Sequence, residues 1–336
     1  MSSACISIAN TLSKIIKYEV TKGNYDVLLL SGGIDTSFIA LSIRDSIKYA
    51  ITVAFNYEAP DIKYARLVSN YLGLKHVITT LSNVKQVSKV IDEYLNELLP
   101  IIKTIDPIEV ACDVPLYIGL KTALELGCNG VVTGDGGDEL FLGYSFLLGR
   151  SEEDLKLWLN NVLRNATFSS VIIGNYLNIK VLTGLYITKV KYLAASTPIS
   201  CCVNTLGKVL VGKYLLRSYL SMNGLIEVAT RKKTPVIYGS GFNELLKLWS
   251  SKVSIDEAIK LGNKYGIKLP SRPHAYLLKK LIQLDLDLPR ECSDESKRCP
   301  VCGSCLVNNF CRFCGTYLSK NGAVQHYSDE LVRTWY

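Results

Sequence analysis

The tightest constraint on how this chain can fold lies in its first half, where short apolar, β-branched runs alternate with helical stretches. Residues 26–30, 49–55, 76–81 and 130–133 read as strands; residues 36–47, 60–72, 83–99 and 115–126 read as helices. Strands separated by whole helices cross over and pair in parallel, and strands covered on both faces are apolar throughout rather than alternating. The expected fold class is therefore α/β, a doubly wound, mostly parallel sheet of Rossmann-like type. Ligands on such sheets bind beyond the carboxyl ends of the strands. Two Gly-rich turns of this chain, at 31–33 and 134–137, fall there.

The first turn sits in Leu28-Leu29-Leu30-Ser31-Gly32-Gly33-Ile34-Asp35-Thr36-Ser37, between a buried strand and a helix start. Glycines let backbone approach a polyphosphate, and the unpaired N–H groups of the helix N-terminus point at it. The hydroxyls of Ser31, Thr36 and Ser37 add donors. Asp35 fits such a site only if a cation stands between its carboxylate and the phosphates, and Mg²⁺ supplies one. The loop is a poor match to Gly-x-x-x-x-Gly-Lys, the loop used for γ-phosphate transfer. It resembles instead the pyrophosphate loop of N-type ATP pyrophosphatases, which release AMP and pyrophosphate.

The second turn, Val131-Val132-Thr133-Gly134-Asp135-Gly136-Gly137-Asp138-Glu139-Leu140-Phe141-Leu142-Gly143-Tyr144, crowds three carboxylates among glycines. Such charges repel unless they face a metal or a cationic group. This stretch resembles the Gly-(Asp/Glu)-Gly-(Gly/Ser)-Asp-Glu-Leu-Phe-x-Gly-Tyr motif of asparagine synthetase and its β-lactam-forming relatives. Lys213-Tyr214-Leu215-Leu216-Arg217 is similar to the family's Lys-x-x-Leu-Arg. Arg231-Lys232-Lys233 and Gly239-Ser240-Gly241 are similar to its Arg-x-Lys and Gly-x-Gly. The four motifs keep the family's order.

The resemblance implies a HUP-type core that binds ATP and Mg²⁺. Ser31, Gly32, Gly33, Asp35, Thr36 and Ser37, with Gly134 and Arg231, would hold the pyrophosphate end of ATP. Asp35 and Asp138 would bind Mg²⁺. Asp135 matches an acidic position beside the reacting centre, a candidate general base, and Glu139 is a further candidate catalytic residue. Lys233 matches a lysine that stabilises charge developing during adenylate formation. The implied activity is amide ligation, in which a carboxylate becomes an acyl-adenylate and is captured by ammonia or an amine.

Two departures qualify the substrate. Glutamine-using synthetases carry an N-terminal glutaminase domain with cysteine directly after the initiator methionine, whereas Ser2 follows Met1 here. Ammonia is then expected from solution or from a separate glutaminase subunit. Around Ala195-Ser196-Thr197-Pro198-Ile199 the family has Glu-x-Arg-x-Pro-Phe-x-Asp; this chain keeps the proline but not the charges. Aspartate is thereby put in doubt as the substrate.

Cysteine placement is uneven. Of eleven, Cys5, Cys112, Cys128, Cys201 and Cys202 are scattered and read as buried reduced thiols, while six fall between Cys292 and Cys314. With no export signal in view, such a cluster points to metal before disulfides. Cys299-Pro300-Val301-Cys302-Gly303 and Cys311-Arg312-Phe313-Cys314-Gly315 form two Cys-x-x-Cys-Gly knuckles of a small zinc ribbon. The alternative Zn²⁺ set is Cys292, Cys299, Cys302 and Cys305, whose spacing resembles that of 7-cyano-7-deazaguanine synthase. The knuckle set is favoured, because glycine after the second cysteine frees N–H groups for the sulfurs. An iron–sulfur cluster or a persulfide-carrying cysteine is a further alternative. A metal module of this kind keeps open a second function, a tRNA- or nucleobase-modifying ATP pyrophosphatase. A non-catalytic protein is disfavoured by the retention of both acidic loops and Lys233.

The expected organisation is an N-terminal helix over 1–25, a nucleotide core over 26–150, a mainly helical extension over 151–290, the Cys-rich segment over 291–318 and a tail over 319–336. The net charge of +8 permits a nucleotide or tRNA partner without demanding one. No apolar run reaches the roughly 18 residues of a membrane span, so a cytoplasmic protein with no membrane partner is expected.

Overall fold

The computed structural model describes residues 2–82, 86–289, 291–319 and 321–326. It divides into two compact units: Met1–Thr80 with Tyr117–Ser240, and Leu81–Leu116 with Gly241–Tyr336.

The first unit is built on a parallel sheet of five strands among the described residues: β1 Val27–Leu29, β2 Tyr49–Ala54, β3 His76–Thr80, β4 Gly130–Thr133 and β5 Lys180–Thr183. Their order is β3-β2-β1-β4-β5, with Val27 opposite both Tyr49 and Val131. The order reverses between β1 and β4, which is the switch point where the two Gly-rich turns emerge side by side. Asp26 locks that pairing. Its Oδ1 accepts from the N–H groups of Asn129 and Gly130 at 3.0 and 3.2 Å, and its Oδ2 pairs with Lys48 at 3.0 Å.

Helices α1 (Ser3–Gly23), α2 (Ile34–Ile43) and α3 (Pro60–Leu72) complete the first half of this unit. The Ser2 hydroxyl caps α1 by accepting from the Cys5 N–H, and Asn24 ends it in the left-handed region. Cys5, Ala9, Leu12, Ile16 and Val20 recur every three or four residues and are all buried in the core that also takes Phe38, Ile39 and Leu216.

Residues beyond 151 are less uniformly helical than expected. β5 extends the sheet, and an antiparallel hairpin, β6 Asn204–Leu206 and β7 Val209–Val211, precedes Lys213. These strands are only three or four residues long, so they carry little period-two signal. Two thiols expected to be reduced are bonded instead: a Cys5–Cys201 disulfide joins α1 to the turn Ile199–Cys202 across 196 residues of sequence. The neighbouring Cys202 stays a thiol, pushed up to about 12 by burial.

The second unit holds Val87–Ile102, Glu244–Ser250, Ile255–Tyr265 and Arg272–Gln283 as helices, with Trp249 stacked on Tyr276 at 6.2 Å. The helix expected from 83 begins at Val87, residues 83–85 lying outside the described part. The cysteine segment folds in this unit, followed by a two-stranded pairing of Thr316–Leu318 with Val324–His326. Residues 327–336 of the expected tail lie outside the described part. Spatial grouping thus differs from linear order, since 81–116 folds with the C-terminal third. Among the described residues, no helix is long and apolar enough to cross a membrane.

Candidate active site and cysteine centre

Glycine is required where the first loop meets α3. Gly32 has φ +66°, and a Cβ there would lie 2.3 Å from the Ala65 nitrogen. The loop is then tied by side chains: Gly33 N–H donates to Ser31 Oγ at 3.2 Å, and the Ser31 and Thr36 hydroxyls are hydrogen-bonded to each other at 3.2 Å. Gly33 is the N-cap of α2 with no side-chain cap, so the first amides of that helix remain available to an anion. Ser37 is fully buried in the helix.

Arg231 braces this loop from its carbonyl side. One nitrogen donates to Ser31 O at 3.1 Å, another pairs with buried Asp61 at 2.5 Å, and the guanidinium lies 4.2 Å from the Tyr64 ring centre. Its guanidinium is thus engaged by Ser31 O and by Asp61. Arg217 does similar work one layer further in, donating to the carbonyls of Gly212, Ala229 and Arg231 at 3.0, 2.7 and 2.8 Å.

The second loop closes on the first through Gly137, where a Cβ would meet Asp35 Oδ1 at 2.1 Å. The two acids therefore face one another, with lysine between them. Lys213 Nζ stands 2.5 Å from Asp35 Oδ2 and 2.8 Å from Asp138 Oδ1. The second contact is an ion pair by distance. Lys233 Nζ donates to the other oxygen of Asp138 at 2.5 Å. Burial raises the Asp35 carboxyl although Lys213 opposes it. At Asp138 burial acts in the same direction, but Lys213 and Lys233 override it and hold the carboxyl down at about 2. Burial would lower Lys213, yet the two carboxylates keep it raised and charged.

Asp35 Oδ1 is buried and has no hydrogen-bond partner. An unpartnered carboxylate oxygen beside a second carboxylate is the donor set a hard divalent cation takes, so these residues fit Mg²⁺.

Asp135 and Glu139 point elsewhere. Asp135 Oδ2 accepts from Thr133 Oγ1 at 2.7 Å and Ser170 Oγ at 2.5 Å; burial raises its carboxyl against those two bonds. Glu139 accepts from the Tyr144 hydroxyl at 2.5 Å, while Trp158 Nε1 donates to its backbone carbonyl. Burial raises this carboxyl as well. Gly134 packs on Thr36, where a Cβ would lie 2.8 Å from Thr36 Cγ2.

In the second unit, the Sγ atoms of Cys299, Cys302, Cys311 and Cys314 all lie within 4.8 Å of one another. The Cys299–Cys314 and Cys302–Cys311 separations are 3.7 and 3.4 Å. A tetrahedron with metal–sulfur bonds of about 2.3 Å has edges of about 3.8 Å, so the four sulfurs fit one metal ion. The two knuckles repeat one turn: Gly303 N–H donates to Cys299 O and Gly315 N–H to Cys311 O, both at 2.9 Å, with positive φ at each glycine. The alternative set is not assembled, because Cys292 and Cys305 form a disulfide. Knuckle two is clasped by Thr104 Oγ1 and Ile105 N–H, which both donate to Phe313 O, and His274 Nε2 lies 3.2 Å from Cys314 O.

The asparagine synthase family model matches residues 27–172. Those residues are thus similar to an asparagine synthase domain. The asparagine synthetase 3 of Arabidopsis thaliana, a glutamine-hydrolyzing enzyme, is 28% identical over 154 residues, covering 41% of this chain and 25% of its own. The Mesocricetus auratus asparagine synthetase, also glutamine-hydrolyzing, is 33% identical over 129 residues, covering 36% and 22%. The chain thus spans about a quarter of the length of the curated relatives it matches. Among solved structures, the NH3-dependent NAD synthetase from Campylobacter jejuni has 14% identity and a TM-score of 0.31, over 70% of this chain and 99% of that one.

Ser31 to Ser37 and Gly134 to Glu139 lie inside the stretch that the family model matches, whereas Lys213, Arg217, Arg231, Lys233 and the four cysteines lie beyond it. Two side chains at the site carry little local signal in the sequence. Lys213 lies in Lys-x-x-Leu-Arg, and nothing in that motif says that it reaches Asp35 across 178 residues. Asp61 had only its apolar helical surroundings as a signal, an acid where α3 should bury its face.

Proposed function

We propose that the loop site binds ATP with Mg²⁺ and cleaves it between the α- and β-phosphates to activate a carboxylate as an acyl-adenylate. Ammonia or an amine then captures the adenylate, which makes the protein an AMP- and pyrophosphate-forming amide ligase. The observation that carries this reading is the Asp35–Lys213–Asp138–Lys233 constellation beside an uncapped helix N-terminus. It combines metal-binding oxygens with two ammonium groups where a polyphosphate would lie.

In this mechanism the amides of the first loop and the hydroxyls of Ser31 and Thr36 hold the departing pyrophosphate. Asp35 and Asp138 would hold Mg²⁺, which when bound neutralises phosphate charge and lets an anionic carboxylate approach phosphorus. Lys233, one-third exposed, is free enough to follow charge as it builds on the bridging oxygen. Arg231 keeps the loop backbone in register. Asp135, half-buried and held by two hydroxyls, is the candidate base for the incoming amine. The four cysteines fit zinc by ligand type and spacing and would serve as a structural centre.

The knuckle centre supports a second reading, in which the adenylated group belongs to tRNA or a nucleobase. Pyrophosphate release decides between the two. Release with an amino acid plus ammonium supports the ligase; release that requires bulk tRNA rejects it.

A further inference from the structure

Two non-glycine residues abut in the left-handed region beside the loop site: Leu142 at φ +55° and Lys213 at φ +56°. Lys213 N–H donates to Phe141 O at 2.9 Å. A Cβ at Gly212 would lie 2.0 Å from Leu142 O, and one at Gly143 would lie 2.0 Å from Lys213 Cε. Backbone and neighbours together aim one buried ammonium, 4% exposed, between Asp35 and Asp138. Strained conformations persist where surrounding structure over-determines them and function needs them.

That ammonium takes up the same carboxylates that a divalent cation requires. It is also tethered, and so competes at a high effective concentration with any ion arriving from solution. We propose that Lys213 is a resident counter-cation that excludes free divalent cations from the Asp35–Asp138 pair, so that metal is accepted together with a polyphosphate and not ahead of it. The proposal rests on the reading of this loop as a Mg²⁺–ATP site. An arriving phosphate chain offers the ammonium anionic oxygens of its own, and its shift onto them releases the carboxylates to the metal. When the polyphosphate leaves, the ammonium returns. At no stage do two bare carboxylates face each other away from water, an arrangement that would otherwise be costly.

Mn²⁺ titration, read as loss of the free-ion paramagnetic resonance signal, tests this on the full chain with its cysteine centre loaded with zinc. Without nucleotide, wild type and Lys213→Arg should take up little Mn²⁺. Lys213→Met should bind it more tightly by about tenfold or more, and the added Asp138→Asn substitution should remove that gain. Equal affinity in wild type and Lys213→Met overturns the proposal. If Lys213→Met does not fold, the wild type decides alone. Uptake only with an ATP analogue resistant to α,β-cleavage, beyond what the analogue chelates without protein, supports the proposal, and equal protein-dependent uptake with and without it overturns it. Failure to bind nucleotide by calorimetry would instead remove the adenylation reading, while the nucleotide-free comparison still decides the exclusion.

Discussion

Around Asp35 and Asp138, charge is positioned by opposite charge: two carboxylates, two ammonium groups, and a backbone bent into the left-handed region to bring one of them in. Around Cys299, Cys302, Cys311 and Cys314 the positioning is done by repeated backbone turns, supported by neutral hydroxyls rather than by opposite charge. The first arrangement is polar, partly open and able to exchange partners. The second is packed and closed, with three of its four cysteines buried. Chemistry needs the former and folding can use the latter. Substitutions should therefore separate the two regions cleanly.

The largest separation is expected from Asp35→Ala. Pyrophosphate release should fall by about a thousandfold or more, while metal content and thermal stability change little. Loss of the bound metal with the activity would join the two regions into one site and break the contrast. Retained activity would mean the loop has been misread.

Arg231→Met comes next. Asp61 would be left buried without its partner, at a cost of about 3–5 kcal/mol, measurable by urea denaturation. Pairing it with Asp61→Leu should recover much of that loss without restoring activity, because the Ser31 carbonyl would still lack its brace. Chelation of the cysteine centre should lower the melting temperature by about 10 °C yet leave nucleotide affinity unchanged. An equal loss of both would place the centre within the nucleotide machinery.

The smallest effect concerns pH. Asp138 is depressed to about 2, so its contribution is present above 3.8 and is lost as pH falls through about 2. Glu109, in the second unit, shifts the other way: burial and nearby Asp106 raise it to about 7 from 4.5. The fold favours its protonated form, so its contribution is greatest below 4.5 and is lost as pH rises through about 7. Glu109→Gln should flatten thermal stability across that interval and leave the acid limb in place. An unchanged slope between those pH values would contradict this assignment.

What the sequence made legible follows from range. The Ser31–Gly33 turn, the acidic loop and the two knuckles are each contiguous, and their glycines announce them. Lys213 required a left-handed residue and a contact 178 residues away in sequence, which no local pattern encodes. The same holds for the Arg231–Asp61 pair and for Cys5 with Cys201. β5 was hidden for another reason: four residues beginning at Lys180, partly exposed, form a strand only because β4 offers an edge. For cysteine, spacing alone left two ligand sets open. Chain path brings Cys292 to Cys305 and leaves the knuckle sulfurs to each other.

The central claim is the bond that is broken. The protein would be incubated with ATP and Mg²⁺, with ammonium and mixed amino acids in one arm and bulk tRNA in the other, and the nucleotide products separated by ion exchange. AMP and pyrophosphate in equal amounts in at least one arm, absent with Asp35→Ala, is the predicted result. ADP and inorganic phosphate would contradict it.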